Sequence, residues 1–321
     1  MQPVNSPVML TVIAVCYNHE RFVIECLESI RLQTCRDFQL IVVDDKSTDD
    51  SQRLISEWMS RYFPAANLIL HQTNIGLCRT LNEALRISDG RYVALIATDD
   101  RWEPGRLAYQ LEFISQLSEA VALVYSDATQ IDEDGNTLPL SFIKAHRPGR
   151  EPPSGRIFSA LADGNFIPGM ATLIRRDAIA AIGGYDESLT YEDYDMWLRL
   201  ASRFEIVFAP GSVASYRIVS TSMVRTLFDR PTARHSFSVY SILDKWIGSG
   251  LLSPTQKEQW AEKIAASAYS LYVWDDPRAT RCLWRAFLLS RKPRLLLLAA
   301  LRSIGFTRPR AKRVAAMIRP S

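Results

Sequence analysis

The stretches VMLTVIAVC (residues 8–16), FQLIVV (38–43) and YVALIA (92–97) decide the fold. Each is almost wholly apolar and rich in β-branched residues, which is how a strand buried on both faces of a sheet reads. Each is stopped abruptly: the first by Tyr17 and Asn18, the second by Asp44 and Asp45, the third by Thr98, Asp99 and Asp100. Between the first two, residues 20–32 place Phe22, Val23, Cys26, Leu27 and Ile30 at the three-and-four spacing of a helix packed on a sheet. A second helix, capped by Ser47 or Asp49, is expected through about Tyr62, then a strand at 67–71 and a helix at 77–87. Strands alternating with helices imply right-handed crossovers and a parallel sheet with covered faces, an α/β class.

Farther on, residues 120–126 read as a strand, with Asp134-Gly135 a turn before another extended segment. Residues 171–175 read as a strand, 176–182 as a helix, Gly183-Gly184 as a break, 193–202 as a helix and 205–209 as a last strand. Beyond about Met223 helices are expected at 255–274, 278–290 and 294–304, punctuated by Pro254, Pro277 and Pro293.

Composition bounds the possibilities. The 321 residues are 47% hydrophobic and 23% charged, with 14 Gly, 16 Pro and 5 Cys. That material builds one large domain or two modest ones and argues against disorder, a collagen-like repeat or a disulfide scaffold. The five scattered cysteines form no CxxC pair and read as core thiols in a reducing compartment. The N-terminus has no basic region before its apolar run, and that run is about half the roughly 18 residues a spanning helix requires; neither a signal peptide nor a membrane span is expected. The net charge of +3 hides a polarity. From Pro277 onward there are twelve Lys or Arg and no Asp or Glu, which leaves residues 1–276 at −9.

In an open α/β sheet, ligands bind beyond the carboxyl ends of the strands. There the three stops gather an aromatic ring and two acidic pairs. A nucleoside diphosphate suits them: the ring stacks on the base, one acidic pair reads base or ribose, and the other holds a divalent cation that bridges the phosphates. The loop after the first strand, Asn18 to Phe22, has no glycine, so a dinucleotide fingerprint is missing, and no GxxxxGK[ST] phosphate loop occurs. The four histidines show no ligand spacing and read as surface or capping residues.

The segments TVIAVCYNHE (11–20), LIVVDDKSTDDS (40–51), NIGLCRTLNEAL (74–85), YVALIATDD (92–100), GGYDESLTYEDYDMWLRL (183–200) and ASYRIVSTSM (214–223) resemble, in order, the motifs of the family 2 inverting glycosyltransferases, whose fold is named GT-A. The resemblance implies a Rossmann-like, mainly parallel sheet flanked by helices, with a C-terminal helical extension. It implies a catalytic domain over 1–224, its nucleotide-sugar half at about 1–110 and its acceptor half at about 111–224, and a helical region with a basic tail over 225–321. It implies transfer of a sugar from a nucleotide-sugar donor, a UDP-sugar, to a glycan or lipid-linked acceptor, with Mg2+ or Mn2+ as cofactor.

Residue by residue, Tyr17 matches the aromatic that stacks on the base, with Asn18 and Glu20 beside it. Asp45, with Asp44, matches the acidic residue at base and ribose. Asn74 and Gly76 fall on the NxG turn and Asn82 on the Asn of the next helix; the Arg that often precedes that Asn is Leu81 here, and Arg79 reads either as reaching the phosphates in its place or as a solvated helix residue. Asp100 matches the metal ligand, with Asp99 as ribose or second metal contact; the motif is commonly DxDD, and its first acidic position is Ala97 here. Val219 stands where many relatives have a His that helps hold the metal. Glu192-Asp193 matches the ED pair, with Asp193 the catalytic base. Residues 165–171 and 183–186 lie where the family positions sugar and acceptor, and Trp102 reads either as a stacking ring or as half-buried.

The departures at Ala97 and Val219 keep open a non-catalytic nucleotide-sugar-binding scaffold of the same fold. The basic tail flanks the apolar residues 295–301, a pattern that lies in a membrane interface or packs on the body. The expected location is cytoplasmic, with the inner face of the membrane as a docking surface. No aromatic interleaving accompanies the charge, so nucleic acid is not an expected partner.

Overall fold

The segment LTVIAVC (β1, Leu10–Cys16) is buried at every position, so it needs a strand on each edge and cover on both faces. Helix α1 (Val23–Arg31) supplies cover through Val23, Cys26, Leu27 and Ile30. Strand β2 (Gln39–Asp44) pairs parallel on one side. Helix α2 (Ser51–Tyr62), strand β3 (Asn67–Leu70) and helix α3 (Leu77–Arg86) follow, with β3 parallel to β2. Strand β4 (Tyr92–Ala97) pairs parallel on the other side of β1. The computed structural model describes residues 9–190, 192–219 and 232–306. These divide between two compact units, with breaks at 187/188, 191/192 and 220/221.

The first unit continues with β5 (Arg101–Trp102), α4 (Arg106–Ser115), β6 (Val121–Ile131), β7 (Thr137–Ser141), α5 (Phe142–His146), α6 (Phe158–Asp163), a 3-10 turn at Gly169–Ala171, β8 (Thr172–Arg175), α7 (Arg176–Ala181), α8 (Glu192–Ala201) and β9 (Glu205–Arg217). The sheet order is β3-β2-β1-β4-β8-β6-β9-β5, with β7 on β6. It is parallel from β3 through β4. Beyond that point it is mixed, because β8 runs antiparallel to both β4 and β6 while β9 runs parallel to β6.

Of the elements that depart from the sequence expectation, among them α5, α6 and a strand β6 that runs on to Ile131, two do so for identifiable reasons. Strand β9 runs thirteen residues, past the expected stop at 209. Tyr125 pairs with Phe208 and Asp127 with Ser212, so Ala209, Pro210 and Gly211 bulge opposite one residue of β6. Helix α4 is hidden because its buried face carries Arg106 and Gln110 beside Leu107 and Ile114. Arg106 donates to Thr172 O at 2.6 Å, and Gln110 to Ala171 O at 2.9 Å. These polar side chains hold the start of β8.

The second unit contains four described helices: α9 (Ala233–Trp246), α10 (Pro254–Val273), α11 (Ala279–Ser290) and α12 (Pro293–Ser303). Ser253 and Gln256 form a reciprocal capping box at the start of α10. No described helix is long and apolar enough to cross a membrane. The last tail cations, Arg308, Arg310, Lys312, Arg313 and Arg319, lie outside the described residues. All five cysteines are thiols, and only Cys35 is not buried.

Candidate functional site

Sheet register builds one rim. Cys16 pairs with Asp44, Asp44 with Leu70, and Val15 with Ala97. Tyr17, Asp45, His71 and Thr98 therefore leave the sheet along one edge. Tyr17 is 46% exposed, an aromatic face open to a ligand. Asn18 takes the left-handed conformation (φ 58). Its Oδ1 accepts from Thr48 N at 2.7 Å and its own N–H donates to Ser47 Oγ at 2.8 Å, which ties the first strand end to the loop after β2. Glu20 fastens the same loop from outside, as its Oε2 accepts from Asp50 N at 2.8 Å. Asp50 stands at the N-cap position of α2 without a side-chain cap bond, and Asp49 Oδ1 accepts from the first helical N–H, Ser51 N, at 3.0 Å.

The two aspartates after β2 have different environments. Asp44 is fully buried, with Oδ1 accepting from Ser47 N at 2.8 Å and Gln52 Nε2 at 2.7 Å, and Oδ2 from Ser47 Oγ at 2.5 Å. It holds the loop together and does not face the rim. Asp45 accepts from Ile75 N through Oδ1 and from Gly76 N through Oδ2, both at 2.8 Å, while Asn74 donates to its carbonyl at 3.0 Å. Gly76 is required there, since its φ of 89 belongs to the left-handed region. The NxG turn is thus clasped onto Asp45.

His71, which reads as a surface or capping residue in the sequence, is nearly buried between carboxylates. Its Nδ1 lies 2.8 Å from Asp45 Oδ1 and its Nε2 3.0 Å from Glu83 Oε2. The only sequence signal for this role is its position at a strand end on the same edge. His19 also joins the rim, with Nδ1 2.9 Å from Thr98 Oγ1 and Nε2 3.8 Å from Asp99 Oδ2. His235 is buried in α9 rather than at the surface. Trp102 is buried beneath Arg106, whose guanidinium lies 3.9 Å from its ring centroid, and is not open for stacking.

Arg79 is exposed and pairs with Glu187 at 3.3 Å. Asn82, one turn farther along α3, receives Tyr185 N at Oδ1 (2.9 Å) and donates to Tyr185 O (2.9 Å) and Glu187 Oε1 (3.0 Å). It locks the turn that begins at Gly183-Gly184.

Asp99 and Asp100 follow β4. Asp100 is 4% exposed and its Oδ1 accepts from Arg217 N at 2.8 Å. Burial, then the adjacent Asp99, holds its carboxyl well above the usual range. The Arg217 guanidinium points elsewhere: it donates to Asp99 O at 2.9 Å and to Glu25 Oε2 at 2.5 Å, over the Phe22 ring. The guanidinium therefore bonds neither the Asp99 nor the Asp100 carboxylate, and His19 stands at the edge of Asp99; as hard oxygen donors the two acids fit a Mg2+- or Mn2+-sized cation. No group of three or more His, Cys, Asp or Glu that could hold a metal occurs among the described residues. A cation there would rest on two side chains and on oxygens from ligand and water. Val219 is buried.

Glu192 and Asp193 open α8. Asn165 donates to Asp193 Oδ2 at 3.0 Å and Tyr194 N to Oδ1 at 2.6 Å. Burial pushes the Asp193 carboxyl up to about 6, against the pull of those donors. Burial, then the charge of Asp193, pushes Glu192 up to about 8. Burial is the first cause of both shifts, so each carboxyl keeps its proton to a higher pH than an exposed one. Arg199, paired with buried Asp195 at 2.7 Å, donates to Gly184 O at 2.6 Å and braces the same turn from α8.

Comparison with known proteins identifies the fold and the family. A glycosyltransferase of amylovoran biosynthesis, AmsB from Erwinia amylovora, is 26% identical over 66% of this chain and 71% of its own. The chain spans only 58% of the length of the first mycobacterial relatives it matches, which are 29% identical and uncharacterized. Among solved structures, S. aureus TarS 1-349 in complex with UDP-GlcNAc superposes with a TM-score of 0.62 at 17% identity, covering 90% of this chain and 83% of that one. The mannosyltransferase PcManGT from Pyrobaculum calidifontis, in complex with GDP-Man and Mn2+, gives 0.58 at 20% identity over 97% and 84%. The fold is GT-A, with the C-terminal helices added. The family described as "Glycosyl transferase family 2" matches residues 11–183, over half of the sequence, and the chain belongs to it.

Proposed function

We propose that the chain is an inverting, cation-dependent transferase that moves a sugar from a nucleoside-diphosphate sugar, a UDP-sugar first among them, to a hydroxyl of a glycan or lipid-linked acceptor. The observation that carries this reading is the Glu192–Asp193 pair, held by Asn165 and shifted to an acidity suited to taking a proton. The acceptor hydroxyl loses its proton to Asp193 as its oxygen attacks the anomeric carbon. The nucleoside diphosphate leaves from the opposite face, so the centre inverts. A single base suffices because the leaving diphosphate is a weak base; a hydrolase needs two flanking carboxylates.

Residues 1–110 form the donor half in this reading and 111–224 the acceptor half. Tyr17 stacks on the base, Asp45 reads base or ribose, and Arg79 reaches toward the phosphates. Asp100 and Asp99 would hold Mg2+ or Mn2+, which supplies positive charge to the departing diphosphate. The nucleotide sugars in the TarS and PcManGT structures, and the Mn2+ in the latter, support the donor class and the cation. The name of AmsB supports polysaccharide synthesis. The five thiols fit a reducing, cytoplasmic compartment.

A thermal-shift panel of UDP- and GDP-sugars with and without Mn2+, followed by NMR of the product's anomeric configuration, tests the proposal. Metal-dependent donor stabilisation and an inverted product support it. A retained configuration overturns the mechanism. Metal-independent binding without turnover supports the scaffold reading instead, which the departures at Ala97 and Val219 keep open.

A further inference from the structure

The second unit carries an apolar surface with cationic borders. Helices α11 and α12 form a hairpin joined by Arg291-Lys292. Their inward faces bury Cys282, Leu283 and Ala286, and Leu295 and Ala299. Outward lie Trp284, Leu288 (53% exposed), Leu296, Leu297 (59%) and, just past α12, Ile304 (79%). Trp284 and Leu288 are four apart on one helix, and Leu297 and Ile304 seven apart on the next, so each pair shares a face. Trp284 Nε1 donates to Ser303 Oγ at 3.3 Å, which sets the register of the hairpin. In an antiparallel pair anchored there, Leu288 is expected near the level of residue 299, on the side of the hairpin that carries Trp284.

An apolar face of this kind on a water-exposed helix pair marks an interaction site. Its charge selects the partner. Residues 278–306 contain seven Lys or Arg and no Asp or Glu, and residues 307–321 add five more with none. Arg281 and Arg291 are exposed. Lys292 pairs with Glu262, and Arg302, whose side chain is nearly buried, with Asp275, so the cationic border of the leucines rests on the exposed Arg281 and Arg291.

We propose that this hairpin face docks on an anionic lipid bilayer. Its leucines and the Trp284 ring enter the boundary between headgroups and acyl chains while the flanking cations meet lipid phosphate. A second copy of the chain fits the face less well, since it would bring two cationic rims together. The inference goes beyond the transferase reading and does not depend on it.

Co-sedimentation of the full chain with vesicles tests it, using phosphatidylcholine alone and phosphatidylcholine mixed with phosphatidylglycerol. Binding to the anionic vesicles is expected to be at least about tenfold tighter, and to weaken with added salt. The double variant Leu288→Glu/Leu297→Glu, both positions being exposed, is expected to lose about tenfold or more with an unchanged Tm and unchanged donor binding. Arg281→Ala/Arg291→Ala is expected to weaken only the anionic preference. Equal binding to both vesicle types overturns the proposal, as does unchanged binding by the leucine variant. A vesicle-free dimer in analytical ultracentrifugation that the leucine variant dissociates also overturns it, by assigning the face to self-association.

Discussion

Asp193→Asn is expected to strengthen the fold while it removes the reaction. In the folded chain the Asp193 carboxyl is raised from 3.8 to about 6, and Glu192 from 4.5 to about 8. A raised acid binds its proton more tightly in the folded state than in the unfolded one. Stability therefore falls as pH climbs from the unfolded value through the folded one. For Asp193 the window runs from about 4 to about 6, and for Glu192 from about 4.5 to about 8. At about 1.4 kcal/mol per unit, ionising Asp193 costs the fold about 3 kcal/mol. Asparagine is nearly isosteric but has one acceptor oxygen for the two donors, Asn165 Nδ2 and Tyr194 N. The hydrogen bond so weakened is worth about 1 kcal/mol. The variant should gain about 2 kcal/mol over the parent at pH 8 and nothing, or a small loss, at pH 4. Urea denaturation of both proteins at pH 4, 6 and 8 reads this difference directly, and turnover with a donor reads the chemistry, expected to fall on the order of 10² to 10⁴ with donor affinity retained. A stability gap that stays the same from pH 4 to pH 8 would refute the electrostatic argument, and normal turnover would remove Asp193 as the base.

Three further outcomes are expected. Gly184→Ala places a Cβ 2.7 Å from Asn82 Oδ1 at a φ of +73, and should cost about 1–3 kcal/mol in urea denaturation; pairing it with Asn82→Ala should relieve part of that cost. His71→Ala should raise the donor KM by about tenfold, loosening Asp45 by roughly one hydrogen bond to a charged group, with kcat nearly unchanged in steady-state kinetics. Asp100→Asn should abolish the Mn2+ enhancement of donor binding in calorimetry. Because burial raises the Asp100 carboxyl, the folded state holds its proton above the ordinary range, so the same variant should be the more stable form at alkaline pH.

The parallel half of the sheet was legible because β1, β2 and β4 are uninterrupted buried runs whose stops are polar and abrupt. The strand ends followed from those stops: Tyr17 stands exposed there, while Asp45 and Asp100 lie beside it nearly buried. Legibility failed where polarity and burial part company. Arg106 and Gln110 sit on the inner face of α4 and erase its apolar period. The Pro210-Gly211 pair reads as an end and is a bulge inside β9. Asp44 and Asp45 are neighbours in sequence, yet one is spent inside the loop and the other holds the rim. His71 bridges acids 26 and 12 residues away, a relation that no local pattern encodes.

Helix α3 has a mechanical consequence. Its first turn begins at Gly76, fastened to Asp45, and its Asn82 and Arg79 are fastened to residues 185–187. Ten residues of helix make a stiff strut of about 15 Å. One end bears on the floor where a base would rest, and its middle bears on the segment leading toward α8. A shift at the Asp45 end is expected to reach residues 185–187 along the helix. In the proposed transferase, a nucleotide seated against Asp45 would bear on residues 185–187 through this helix, and binding of the nucleotide first is the expected order.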